Sequence, residues 1–411
     1  MTASKPDYDI IIIGAGPAGS TAAKCLMDTR PKTRVLLLDK ANQFPRAKPC
    51  GGYLGAEILK LFPYLKGREG HFVESESYQG ILHSPDLRYQ VSGRTRMLGV
   101  RRSTFDAYLL GLAQQAGVLV GMRSRVIDVK PNSDHALVEL DDGRKLTTKV
   151  VVGADGAASV VARRTGLHQG WQPQQVCRTI VKEITVDPEF ILDQYGPDRS
   201  IHLYLQFNRI PGYAWVFPKA HNINVGLGCF ASYPIRLSEY LRLLIRLLQK
   251  ESMLPDTVDL KGVQAGLCPT VGPIQTTQRD RVMLIGDAAG FVSPTTGAGI
   301  VPGMQSGQLA ARTLAEASDR EQFDAVFLQR YQFRWEKVIG RFETELLIQR
   351  AFLTRWCNLF IRIGERDTKM RDFVASTQSK DPMGTYGRGV NVLELLLRTA
   401  WALIKGPFGG L

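Results

Sequence analysis

Three glycines, Gly14, Gly16 and Gly19, follow four consecutive isoleucines in the segment DIIIIGAGPAG near the start of the chain. Gly-x-Gly-x-x-Gly after an apolar run predicts a buried strand, a tight turn, and a helix from Pro17 to Met27. The turn, with Ala15, Pro17 and Ala18 between its glycines, would aim backbone N–H groups and a helix dipole at an anion. A second strand, Arg34-Val-Leu-Leu-Leu-Asp39, ends on a carboxylate 20 residues beyond Gly19, with Lys40 next to it. A carboxylate there would hold a ribose 2′-hydroxyl. These residues predict a dinucleotide site.

Two later segments decide which dinucleotide. RVMLIGD at 281–287 reads as a short strand ending in Gly286-Asp287, and Asp287 can accept hydrogen bonds from sugar or ribityl hydroxyls. Gly297, Ala298 and Gly299 then open a helix at Ile300 that runs to about Ala317. Its N-terminal dipole would stabilise negative charge on a reduced flavin ring. Between the first glycine turn and these segments, VVGADGAASVVARR carries Asp155-Gly156 and Ser159 at a further strand–helix junction. The three elements, in this order over residues 8–320, resemble those of hydroxylase-like FAD flavoproteins. The resemblance implies FAD along the first glycine turn, and Val126 is assigned to the same cofactor set.

Chemistry is suggested by two further stretches. Lys48-Pro-Cys50-Gly51-Gly52 lies in the loop after the second strand, where two glycines would let backbone approach a ring or a substrate. Tyr213-Ala-Trp215-Val-Phe217-Pro218-Lys219 reads as a strand whose alternation puts Tyr213, Trp215 and Phe217 on one face, suited to a long apolar ligand. With GDAAGFVSPTTG, these segments resemble the geranylgeranyl reductase family of FAD enzymes, which hydrogenates double bonds of polyprenyl chains. That resemblance implies Cys50 and Gly51 near the flavin and Arg102 in contact with FAD. It also implies that Gly52, Tyr213, Trp215 and Phe217 line a prenyl channel. Ala298 and the VPGMQ that follows depart from the family's usual continuation, which leaves the ring contacts open.

The expected activity is therefore FAD-dependent saturation of C=C bonds in an isoprenoid chain on a lipid, quinone or diphosphate. The cofactor would carry the difficult step, and the protein would position the alkene and exclude water. Cys50 is the candidate catalytic proton donor, with Tyr213 or an ordered water as alternatives. No second glycine fingerprint marks a nicotinamide site, so NAD(P)H docking transiently and a reduced carrier both stand as electron donor. A flavin monooxygenase or halogenase on the same fold, or a non-enzymatic flavin carrier, are the competing readings.

At 411 residues, with 44% hydrophobic and 22% charged content, the chain can build a large core in two or three domains. Its six cysteines have no paired metal-ligand spacing, and its histidines show none either, so no metal is expected and the thiols read as reduced and cytoplasmic. The first apolar run belongs to the nucleotide strand, so no signal peptide is expected. No run reaches the ~18 apolar residues of a spanning helix. The net charge of +13 fits attraction to anionic lipid better than to nucleic acid, because there is no basic run. VNVLELLLRTAWALIKGPFGGL at 390–411 has an apolar face with Trp401 and flanking cations. It reads equally as an interfacial helix, peripheral at the inner face of the membrane, and as a helix packed on its own core. LRLLIRLLQK at 241–250 reads as core or cavity lining.

The fold class expected is α/β (α+β): a Rossmann-like FAD-binding domain with an inserted antiparallel-sheet substrate domain and a helical C-terminal region. The FAD domain is assigned to 1–82, 101–170 and 268–320, the substrate domain to 83–100 and 171–267, and the helical region to 321–411. Residues 67–80 read as loop, Val118–Val129 as one strand, and the C-terminal region as helical with breaks near Gly364 and at Asp381–Gly384.

Overall fold

In the computed structural model, which describes residues 5–366, the chain alternates between two units. The first holds residues 5–48, 102–176 and 267–346, the second 49–101, 177–266 and 347–366. The chain begins with β1 (Tyr8–Ile13), α1 (Pro17–Thr29) and β2 (Val35–Leu38), then passes through β3 (Tyr53–Gly55), α2 (Ile58–Leu61), β4 (Val73–His83) and β5 (Gln90–Val100). It continues through α3 (Arg102–Gln115), β6 (Leu119–Gly121), β7 (Val126–Pro131), β8 (Ala136–Leu140), β9 (Lys145–Gly153) and α4 (Val160–Arg164). Next come β10 (Val176–Thr185), α5 (Pro188–Tyr195), β11 (Ile201–Leu205), β12 (Gly212–Pro218), β13 (Asn222–Phe230), α6 (Leu237–Lys250) and β14 (Gln264–Pro269). The last elements are β15 (Gln278–Arg279), β16 (Val282–Leu284), α7 (Ile300–Arg320), α8 (Ala325–Val338), α9 (Glu343–Phe352) and α10 (Cys357–Arg366).

The first unit is built on a mostly parallel sheet ordered β15-β16-β9-β1-β2-β6. Its middle strand, β1, pairs in parallel with β2 (Ile13 opposite Leu38) and with β9 (Ile13 opposite Gly153). Ile10 to Ile13 are buried because both faces of this strand are covered, and a strand covered on both faces needs no polar alternation. Helices α1 and α7 pack closely through small residues: a Cβ on Gly307 would stand 2.4 Å from the Ala18 carbonyl oxygen. A ribbon of β7 and β8 extends from β9.

The second unit holds the sheet ordered β14-β10-β13-β12-β11-β4-β5-β3. β4 and β11 run parallel, while the hairpins β4–β5, β11–β12 and β12–β13 are antiparallel. One face buries Ile180, Ile184, Val216, Val225 and Leu227 with Leu241, Leu244, Ile245 and Leu248 of α6. The 241–250 segment is therefore core, one of the two readings its sequence allows. The opposite face carries the aromatic side chains of β12.

Several expectations are corrected. Residues 73–80 are strand β4 rather than loop, because its inward positions are Ser75 and Ser77, buried yet not apolar. Ser77 Oγ donates to the Arg199 carbonyl at 2.7 Å, which satisfies it inside the unit. The expected strand Val118–Val129 is two strands, broken where Arg123 adopts φ +53°. Helix α5 went unrecognised although Asp187 caps it, accepting from the Glu189 backbone N–H at 2.9 Å. The C-terminal helices break at Gly340 and Phe342, both with positive φ, and α10 runs through Gly364. The chain leaves the first unit at Lys48 rather than after residue 82, since β3 pairs with β5. The segment 390–411 and the break at Asp381–Gly384 lie outside the described residues.

Candidate functional site

In the first unit the glycine turn has two different demands on its three glycines. Gly14 adopts φ +108°, and a Cβ there would stand 2.3 Å from the Ala154 carbonyl oxygen. A Cβ on Gly19 would stand 1.9 Å from the Gly14 carbonyl oxygen. Gly16 is different: its Cβ would meet only Arg46 Nη2, at 3.9 Å. The first and third glycines are required by the protein's own backbone, and the second faces open space. That space lies at the start of α1, which has no side-chain cap and no acidic residue in its first turn. Uncapped N–H groups, an absent Cβ and a guanidinium suit a pyrophosphate.

Asp39, buried at the end of β2, braces this turn. Its Oδ2 accepts from the Ala15 N–H at 2.9 Å and its Oδ1 from the Ala41 N–H at 2.8 Å, with Arg46 Nη2 at 3.4 Å from Oδ2. Oδ1, with a single donor, keeps a lone pair for a hydroxyl. Lys40 beside it is exposed, and Val126 is buried in the β7–β8 ribbon opposite Leu140. The Asp155-Gly156 element turns out to be a cap. Asp155 accepts from Ser159 Oγ (2.6 Å) and from the Val160 N–H (2.7 Å), which ties down the segment that carries Ala154 against Gly14.

Asp287 follows β16 in a single 3-10 turn, and a Cβ on Gly299 would stand 3.0 Å from its Oδ1. Burial pushes the Asp287 carboxyl up, opposed by the charges of Lys48 and Arg102. Burial likewise pushes the Lys48 ammonium down, with Asp287 opposing that shift and Arg102 and Arg46 adding to it. Arg102 forms a two-pronged pair with the fully buried Asp106, at 2.8 and 2.9 Å. Arg46, Lys48 and Asp106 therefore join Asp287 and Arg102 in one charged cluster that the sequence reading did not assemble. The turn Gly297–Gly299 is held by the Gly297 N–H on the Ser293 carbonyl and by Ala298, whose carbonyl accepts from the Ser293 N–H. From it α7 starts at Ile300, again with no side-chain cap.

The second unit gathers the other candidates. On β12, Tyr213, Trp215 and Phe217 follow one another with centroids 5.9 and 6.2 Å apart. Opposite them on β13 stand Gly228, Gly226 and Asn224. A Cβ on Gly226 would come 2.3 Å from the Trp215 ring, so a glycine floor makes room for the aromatic row. The Cys50-Gly51-Gly52 loop rests on this row: a Cβ on Gly51 would stand 2.5 Å from Phe217 Cε2. Gly52 adopts φ +74°, and a Cβ there would meet the Val100 carbonyl oxygen at 2.3 Å and Lys219 Nζ at 2.9 Å. Tyr53 packs edge-on against Phe217 and donates to the Pro218 carbonyl. Cys50 is half-buried. The first unit thus collects the residues suited to a dinucleotide, and the second those suited to an apolar chain.

The family model described as lycopene cyclase protein matches residues 9–374. A digeranylgeranylglycerophospholipid reductase of Methanocaldococcus jannaschii is 30% identical over 338 residues, 80% of this chain and 82% of its own. The chain belongs to the geranylgeranyl reductase family of FAD-dependent oxidoreductases. The family's fold extends further. A geranylgeranyl bacteriochlorophyll reductase-like protein of Thermoplasma acidophilum superposes with a TM-score of 0.77 at 21% identity, over 95% of this chain and 99% of that one. The halogenase PltM, solved with phloroglucinol and FAD, superposes with a TM-score of 0.68 at 18% identity, over 96% and 90%. At those identities the likeness is one of fold. Within this family member, no helix of the described residues is long and apolar enough to cross a membrane.

Proposed function

We propose that this protein is an FAD-dependent reductase that saturates double bonds in the isoprenoid chains of a lipid, as the name of its digeranylgeranylglycerophospholipid reductase relative suggests. The observation that carries this reading is the aromatic row Tyr213-Trp215-Phe217, with the Cys50-Gly51-Gly52 loop resting on it. FAD fits the first unit on its own geometry: the open space at Gly16, the uncapped start of α1, and the Asp39 and Asp287 carboxylates. When bound, it supplies the two-electron reducing equivalent. Gly14–Gly19 with Arg46 would hold the pyrophosphate, Asp39 the ribose, and Asp287 the ribityl hydroxyls. Lys48, Arg102 and the turn at Gly297–Ile300 would offset its negative charge.

The chain's own residues must then bind and orient an alkene that offers no polar atom to a hydrogen bond. Aromatic faces do this by burial, at about 0.8 kcal/mol per methylene removed from water. A long tail would therefore dominate affinity, and the head group, whether phospholipid, quinone or diphosphate, would be steered by the basic surface. Gly51 and Gly52 keep the loop low over the row. In this reading the Cys50 thiol donates the proton from Sγ, with Tyr213 or an ordered water as the alternative donors. The electron donor is NAD(P)H or a reduced carrier, and the 390–411 segment would bring the protein to the membrane surface.

The test is anaerobic turnover of the reduced holoenzyme against prenyl phospholipids, menaquinones and prenyl diphosphates, read by mass. Each saturated bond adds two mass units without O₂. A product that forms only with O₂ and gains sixteen units identifies a monooxygenase instead. A lipid left unchanged while the flavin cycles identifies a carrier.

A further inference from the structure

The loop that carries Cys50 is tied to the aromatic row by one amide. Asn224 Nδ2 donates to the Cys50 carbonyl oxygen at 3.0 Å, and Asn224 Oδ1 accepts from the Trp215 indole N–H at 2.7 Å. The same Nδ2 also donates to Glu183 Oε1 at 2.7 Å, and Glu183 takes Lys219 Nζ on that oxygen at 3.0 Å. Lys219 is fully buried, and its ammonium lies where a Cβ on Gly52 would come within 2.9 Å. Asn222, with its amide nitrogen toward Glu183, donates to Oε2 at 2.5 Å and accepts from Arg101 at 3.1 Å.

Strand register explains why these groups meet. Glu183 on β10 stands opposite Asn224 on β13, which stands opposite Phe217 on β12, all on the face turned away from α6. A buried ammonium is tolerated only with a partner, and an asparagine fixed at both ends of its amide has one orientation. From this we infer that Asn224, held by the Glu183–Lys219 pair, is the positioning residue that fixes the Cys50 peptide and the Trp215 ring relative to each other.

Asn224 touches neither thiol nor alkene; it acts through the loop carbonyl and the indole. Removing its donor should free the loop while the remainder of the sheet keeps its pairing. Lys219→Met should act in the same direction, because Glu183 is then pinned from one side less. Glu183→Gln should be worse than Lys219→Met, since it strands a buried cation, and the double change should recover part of the loss.

The experiment follows the rate at which a thiol-alkylating reagent modifies Cys50, resolved peptide by peptide by mass spectrometry in the FAD-loaded full chain. Cys25, Cys177 and Cys268, each half-buried elsewhere, serve as internal references. Asn224→Ala and Asn224→Asp are both expected to raise Cys50 modification at least fivefold and leave the three references unchanged. Asn224→Asp keeps the acceptor for Trp215 and loses the Nδ2 donor to Cys50 and to Glu183, so it separates the donor side of the amide from the indole contact. Unchanged Cys50 rates in both variants overturn the inference. Acceleration of all four cysteines together also overturns it, because that reports general loosening. In the turnover arm, which rests on the reductase reading, Asn224→Ala should lower kcat at least tenfold with little change in KM. The labelling needs no substrate, so a failed turnover assay leaves it standing.

Discussion

The two glycine loops of this molecule are alike in composition but differ in what excludes a side chain beside the glycine each leaves for function. In the Gly14–Gly19 turn, glycine is required by nearby main chain: the Ala154 and Gly14 carbonyl oxygens would clash with any Cβ at Gly14 or Gly19. In the Cys50–Gly52 loop, Gly52 is likewise held by main chain, the Val100 carbonyl, but Gly51 is required by a side chain, the Phe217 ring, which arrives from a strand far along the sequence. The first loop is closed by main chain, its own at Gly14 and that of Ala154 from the end of β9, and leaves one glycine, Gly16, for a ligand. The second takes its shape from the sheet beneath it. A turn closed by main chain and a loop docked on an aromatic ring should therefore fail differently when a methyl group is added.

The largest effect is expected in the first loop. Gly19→Ala should cost on the order of 3 kcal/mol or more, since a backbone oxygen cannot move aside, and thermal denaturation with loss of bound flavin would record it. Gly16→Ala is the sharper probe: stability close to wild type, but FAD affinity at least tenfold weaker, about 1.4 kcal/mol, by flavin titration of the apoprotein. Equal stability losses at Gly16 and Gly19 would erase the distinction drawn between them.

In the second loop, Gly51→Ala should displace the Phe217 ring and lower turnover roughly 10- to 100-fold, as ångström-scale misplacement does, with flavin content unchanged. Loss of flavin in Gly51→Ala would mean the two loops are not separable.

A smaller effect is expected at the sheet face that carries neither loop. His83 Nε2 and His202 Nδ1 lie 3.0 Å apart, and burial holds their pKa values down to about 4 and about 3, with His83 depressing His202 further. A histidine whose folded pKa lies below its unfolded value of 6.5 contributes stability fully above pH 6.5 and loses it as pH falls toward the folded values. Thermal stability should thus decline from pH 6.5 to pH 4, and His202→Gln should flatten that slope without touching flavin affinity. Smallest of all, deleting residues 390–411 should weaken binding to anionic liposomes and leave the behaviour of both loops intact; unaltered partitioning would discard the interfacial helix.

What was legible in the sequence follows the same division. The Gly14–Gly19 turn, Asp39, Asp287 and the start of α7 could be read because each is a short-range pattern with a fixed structural consequence. The aromatic alternation on β12 was legible for the same reason. The polar cluster beneath it was not: Glu183, Lys219 and Asn224 look like ordinary strand and turn residues until the register of β10, β12 and β13 brings them together. Arg46 and Asp106 were hidden likewise, as members of pairs set by tertiary contact. Strand β4 was missed because buried serines replaced the apolar half of its alternation. Tertiary partners, which no local window contains, account for most of what the sequence withheld.

The most direct measurement is anaerobic rapid mixing of the fully reduced protein with a geranylgeranyl phospholipid, and separately with the same lipid bearing saturated chains. Return of the oxidised-flavin absorbance is expected with the unsaturated lipid alone, each flavin reoxidised matching one double bond lost. Reoxidation that ignores chain unsaturation, or that occurs only when O₂ is admitted, would contradict the reductase reading.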